Sequence, residues 1–115
     1  MTAGHLALIA SDIRAAVAWY GPVARSYFAG DRSVIERAAS IKAPVLGLYG
    51  ALDKGIPVAD VEAMNAALKA AKTPSSIHLY PQADHGFLAD YRPSYNEAAA
   101  RDGWSRALAH FKKHL

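Results

Sequence analysis

Apolar positions along the chain follow two rhythms. Three short runs are almost continuous: Ala15–Tyr20 (AAVAWY), Val45–Tyr49 (VLGLY) and Ile77–Tyr80 (IHLY). Each ends at a turn residue, Gly21-Pro22, Gly50 or Pro81, as strands do. The first two carry hardly a polar residue, the pattern of parallel strands covered on both faces. Elsewhere the spacing changes to three and four. Val58, Val61, Met64 and Leu68 share one face of a helix predicted from about Val58 to Ala71, and Pro57 just before it suits a first turn. A second helix is predicted from about Tyr95 to the end, with Trp104, Leu108, Phe111 and Leu115 as its apolar stripe. Gly4 to Ser11 reads as the remainder of a helix, and Arg32 to Ala39 as a short helix or a turn.

Alternation of this kind predicts an α/β fold, a parallel three-stranded sheet flanked by helices with right-handed crossovers. No repeat or linker divides it, so residues 1–115 form a single unit. Three strands make a narrow sheet, and the chain opens inside a helix with no strand before it. Ala15–Tyr20 is therefore expected to have an unpaired edge. Two copies pairing these edges about a two-fold axis would give a homodimer; alternatively a separate chain would cover the edge.

Composition narrows the partners. The 115 residues are 52% hydrophobic and 20% charged, ordinary for a globular protein. The net charge of +3 comes from Lys and Arg scattered along the chain, without the clustering of a nucleic-acid footprint. Met1 to Tyr20 is apolar enough to suggest a signal peptide. It lacks a basic opening, however, and Asp12 and Arg14 interrupt it. No segment approaches the roughly 18 uninterrupted apolar residues that span a membrane. With no Cys there is no disulfide, thiolate metal site or cysteine nucleophile in this chain, which fits a reducing compartment. A cytoplasmic protein is expected.

Two segments carry candidate chemistry. In LYGALDKGIP, Asp53 sits on the loop leaving the carboxyl end of a predicted strand, where α/β sheets collect ligands and catalytic groups. In LYPQADHGF, His85 follows the next strand by a short loop. An Asp after one strand and a His after the next is the chain order of acid and base in the α/β-hydrolase triad. Asp53 would hold the imidazole in its working tautomer, and His85 would act as general base. Asp84, adjacent to His85, reads as a turn residue. His110 and His114 have i, i+4 spacing, which suits a metal, but beside a Lys-rich terminus they read as solvated.

Together, IKAPVLGLYGALDKGIP, YPQADHGF and DYRPSY before a Trp-containing terminal helix resemble the dienelactone hydrolase family over nearly the whole chain. The resemblance implies the C-terminal part of an α/β-hydrolase, lacking the N-terminal half of the fold. It implies Asp53 and His85 as triad acid and base. It also implies a small-molecule ester or lactone substrate, and no metal or organic cofactor. Some members bind a substrate carboxylate through an Arg shortly after the catalytic His; Arg92 is the candidate, with a structural role as the alternative. Tyr91 and Tyr95 are pocket-lining or packing residues.

The family's nucleophile stands in a G-x-C-x-G-G elbow, sometimes with Ser. Aligning Leu6-Ala7-Leu8 with the helix that follows places Met1 at the nucleophile. Thr2 is the nearest hydroxyl, but an N-terminal Thr using its own amine would make Asp53 and His85 redundant. No serine of the chain lies in an elbow pattern. Hence the expected protein is a truncated hydrolase, inactive or incomplete alone. The alternative is a non-enzymatic remnant serving as a self-associating or partner-binding module.

Overall fold

A computed structural model describes residues 12–24 and 33–115. The expected helix over Gly4–Ser11, and the positions assigned to Met1 and Thr2, lie outside the described residues. Three strands form: β1 (Ala16–Trp19), β2 (Val45–Gly50) and β3 (Ser76–Tyr80). They lie in the order β1-β2-β3, both pairings parallel, with Ala16 opposite Val45 and Leu46 opposite Ser76. The three strands fall within one residue of the expected runs.

Side-chain alternation on β2 divides the core in two. Val45 and Tyr49 face the helix α1 (Val58–Ala70) and join Ala16, Ala18, Val61, Met64 and Leu68. Leu46 and Leu48 face the opposite way, toward Phe87 and Ala99 of the terminal helix α2 (Glu97–His114). A strand that is apolar on both faces, as β2 is, can only lie between two helical layers. All six residues of β2 are buried.

Arg32–Ala39 was expected as a helix or turn; residues 34–37 form a turn leading to a single 3₁₀ turn, Ala38–Ser40. Ser33 and Glu36 cap its approach reciprocally. The Ser33 N–H donates to the Glu36 carboxylate at 3.1 Å, and the Glu36 N–H donates to Ser33 Oγ at 3.3 Å. Pro57 occupies the position just before α1, whose carbonyl accepts from Asp60 and Val61. Helix α1 closes at Ala71, and Lys72 follows in the left-handed region at φ 60°.

The terminal helix departs from expectation. Its buried residues are Ala99, Ala100, Gly103 and Ala107, whereas Trp104, Leu108 and Leu115 are more than half exposed. Of the expected apolar stripe only Phe111 is half-buried, so the stripe as a whole does not form the packed face. Close approach selects small residues instead: a Cβ on Gly103 would come within 2.9 Å of the Trp19 ring. Trp104 stacks on Trp19 from the side, ring centroids 6.5 Å apart. Among the described residues β1 is an edge of the sheet.

Candidate active site

The loops leaving β2 and β3 emerge side by side at the carboxyl end of the sheet. Two backbone bonds stitch them together, Ala51 N–H to the Tyr80 carbonyl and Leu52 N–H to the Ala83 carbonyl, both at 2.9 Å. Gly50 permits this approach. A Cβ there would lie 2.3 Å from the Ala83 oxygen, far inside any contact distance. The helix start is tied to the same loops: Asn96 Oδ1 accepts from the Ala99 N–H that opens α2, while its amide donates to the Gln82 carbonyl. Asn96 N–H donates to the Phe87 carbonyl on the far side of His85.

This framework brings Asp53 and His85 together. Asp53 Oδ2 lies 2.7 Å from His85 Nδ1, and Oδ1 accepts from the Gly55 N–H at 2.9 Å. The Asp53 side chain is 5% exposed and that of His85 is 47% exposed. A carboxylate only accepts, so Nδ1 carries the proton and, in the neutral ring, Nε2 keeps its lone pair. That arrangement presents a basic nitrogen to solvent and a buried anion behind it. Asp84, expected as a turn residue, accepts from the His85 backbone N–H at 2.6 Å.

Arg92 falls within the same neighbourhood. Its guanidinium crosses Gly86, where a Cβ would meet Nη1 at 2.9 Å; Gly86 itself adopts φ 79°. Arg92 is exposed, as are Tyr91 and, less so, Tyr95, so neither tyrosine is a core packing residue. Sequence reasoning missed Tyr20, whose ring sits edge-on to the His85 imidazole with centroids 5.0 Å apart. Burial raises the Tyr20 phenol pKa, with the Arg92 charge opposing it. Nothing in residue type or spacing announces that contact.

The remaining histidines stand elsewhere. His78 lies on β3 against Tyr80. His110 is half-buried, not solvated: Nε2–H donates to the Pro44 carbonyl at 3.1 Å, and its ring is 4.7 Å from that of His114. Among the described residues no three His, Asp or Glu side chains gather as a metal site, and no helix is long and apolar enough to cross a membrane.

Comparison with known proteins identifies the family. A family model described as "Dienelactone hydrolase family" matches residues 2–115. An Escherichia coli O157:H7 protein named "Putative carboxymethylenebutenolidase" is 48% identical over 109 residues, covering 90% of this chain and 38% of its own length. The crystal structure of a "Putative Dienelactone Hydrolase" from Klebsiella pneumoniae superposes with TM-score 0.90 at 44% identity, covering 97% of this chain and 47% of that one. A Pyrococcus furiosus esterase shares the α/β-hydrolase fold alone, with TM-score 0.74 at 15% identity. The chain thus spans under half the length of these relatives. Its sheet is the corresponding part of an α/β-hydrolase sheet, and the chain belongs to the dienelactone hydrolase family.

Proposed function

We propose that this chain supplies the acid–base part of a hydrolase site acting on small-molecule esters or lactones, with the nucleophile provided from outside the described residues. The observation that carries the reading is the 2.7 Å bond between buried Asp53 and exposed His85. His85 Nε2 takes the proton of a nucleophilic side chain as its heteroatom bonds the acyl carbon. It then returns that proton to the departing alkoxide, and a water repeats the sequence to release the acid. Asp53 stabilises the imidazolium formed between those steps. Arg92, beside Gly86, supplies a forked cation suited to a substrate carboxylate.

The test is a graft of this segment into the full-length Klebsiella relative in place of its own corresponding part. The graft is expected to hydrolyse a small ester. Asp53→Asn or His85→Ala should lower kcat/KM by about 10³- to 10⁴-fold, the scale of losing a triad member. Arg92→Ala should raise KM for substrates bearing a carboxylate and leave neutral esters alone. The isolated chain is expected to show no turnover that His85→Ala abolishes; such turnover would reveal a nucleophile within it. An active graft indifferent to His85→Ala would refute the assignment.

A second reading, an interaction module without turnover, rests on β1 lying at the edge of the described sheet, with exposed Trp104 stacked on Trp19 of that strand. It predicts a concentration-dependent homodimer by sedimentation, in which the β1 edges pair. A monomer at every concentration refutes it.

A further inference from the structure

The residue leaving β1 is in a conformation that side chains rarely adopt. Tyr20 has φ 34°, although its N–H still donates to the Leu48 carbonyl at 2.9 Å as if the strand continued. Only glycine visits that region at little cost; for a bulky residue it persists where the surroundings hold it. Along β1, Ala16 and Ala18 face α1 while Val17 and Trp19 face α2. Continued alternation would send Tyr20 toward α1. The left-handed turn instead swings its ring over the carboxyl edge of the sheet, where it touches both halves of the core.

There the ring meets Phe87 at 5.4 Å and His85 at 5.0 Å, both edge-on. Phe87 is fully buried and is backed in turn by Tyr80 and Trp19 at 5.2 and 6.1 Å. Tyr20 is therefore wedged between a rigid aromatic floor and the imidazole. Among the described residues, the His85 ring has one hydrogen bond, to Asp53. A single bond leaves an imidazole free to pivot about it, and half of this side chain is open to solvent. The Tyr20 hydroxyl makes no hydrogen bond among the described residues, so the contact belongs to the ring and not to the oxygen.

We propose that Tyr20 is a positioning residue for His85: its left-handed backbone places an aromatic edge against the imidazole and holds it in the orientation that Asp53 binds. This rests on Asp53 and His85 forming the acid–base pair of the preceding section. The preference is local, because the strained backbone and the ring it delivers are one feature, stored where the site needs a fixed geometry.

Nitrogen-15 NMR of the histidine rings in this chain, above neutral pH, tests the proposal without needing turnover. In the parent chain and in Tyr20→Phe, His85 should be the Nδ1–H tautomer with a restricted ring. Tyr20→Gly accepts the same φ without strain and should keep the backbone amide spectrum. In it, the Asp53-bound orientation of His85 should fall about two- to tenfold relative to alternatives, the factor an edge-to-face pair supplies. In the grafted full-length relative the same change should lower kcat with KM unchanged. If Tyr20→Gly perturbs the fold, Tyr20→Leu, which keeps apolar volume but no aromatic edge, gives the same readout. An intact amide spectrum with an unaltered His85 tautomer and ring order overturns the positioning role. A parent chain whose His85 is not Nδ1-protonated, and does not respond to Asp53→Asn, overturns the acid–base pair itself.

Discussion

Gly50→Ala should damage stability and site geometry together, because one missing Cβ lets the loops that carry Asp53 and His85 touch. A Cβ built on Gly50 lies 2.3 Å from the Ala83 carbonyl oxygen, 2.7 Å from its carbon and 3.1 Å from the Asp84 nitrogen. All three atoms are backbone, so no side chain can rotate aside. Ordinary contact begins at 3.4 Å, so the β3 exit loop must recede by about 1 Å. Overpacking of that size costs about 1–3 kcal/mol. The Leu52 N–H bond to the same Ala83 oxygen, now 2.9 Å, would stretch as well, for about another 1 kcal/mol. The expected loss is about 2–4 kcal/mol, a large share of the roughly 5–15 kcal/mol that a domain possesses. His85 rides on the receding loop, and 1 Å added to its 2.7 Å bond with Asp53 breaks it. In the grafted relative, a displacement of that size should cost about a hundredfold in turnover. Urea unfolding followed by tryptophan fluorescence reads the stability, with an unchanged slope showing that the same surface unfolds. Gly55→Ala is the control, since its Cβ would meet only Asp53 Oδ1 at 3.4 Å. A Gly50→Ala protein as stable as Gly55→Ala, with turnover intact in the graft, would refute the reasoning.

Other consequences follow from the same geometry. Lys72 sits at φ 60° just past α1, the place where glycine is favoured, so Lys72→Gly should stabilise by about 0.5–1 kcal/mol in thermal unfolding, and a lower midpoint would contradict it. Gly103→Ala should destabilise despite alanine's better helix propensity, because its Cβ meets the Trp19 ring at 2.9 Å; Leu108→Ala, on the exposed face, should cost less than Gly103→Ala. Burial lowers the pKa of both His78 and His110. The unfolded chain then binds those protons first, so stability present above pH about 6.5 should be lost as pH falls below it. His110→Gln, which keeps a donor for the Pro44 carbonyl, should flatten the slope of thermal midpoint against pH; an unaltered slope would exclude His110 as a source. Burial raises the Tyr49 phenol well above its ordinary value, so the stability it contributes is present below pH about 10 and lost as pH rises beyond. Tyr49→Phe should reduce that alkaline loss, while costing about 1 kcal/mol at neutral pH through the lost bond to the Gly21 carbonyl.

Where residue type alone decides structure, the chain was readable. Val45–Tyr49 is apolar on both faces and bounded by Gly50, and β2 appears there, buried between two helices. Val61, Met64 and Leu68 repeat at helical spacing and are the buried face of α1. Asp53 and His85 were legible for a related reason: each follows a strand within a few residues, and a parallel sheet delivers both loops to one edge. The terminal helix was not, because periodicity weighs large apolar residues and says nothing about how closely a helix approaches. Here the contact with Trp19 requires Gly103, so the small-residue face packs and Trp104 and Leu108 turn outward. Tyr20 was hidden for a different reason. Its partners, His85 and Phe87, lie more than sixty residues away, and only the fold brings them to the end of β1.

Several contacts among the described residues hold the Asp53–His85 pair. Gly50 lets the loops meet, Gly55 donates to Asp53, Asn96 ties the start of α2 to both sides of His85, and Tyr20 closes on the imidazole from β1. A buried carboxylate without partners would be costly, yet both oxygens of Asp53 are satisfied here. The described residues alone thus supply partners for both carboxylate oxygens and a fixed partner for the imidazole. Such an arrangement suits the general base chemistry proposed above, in which the imidazole is already oriented when the reacting atom arrives. In the proposed function the work divides accordingly: this segment handles the proton, and the nucleophile comes from outside the described residues.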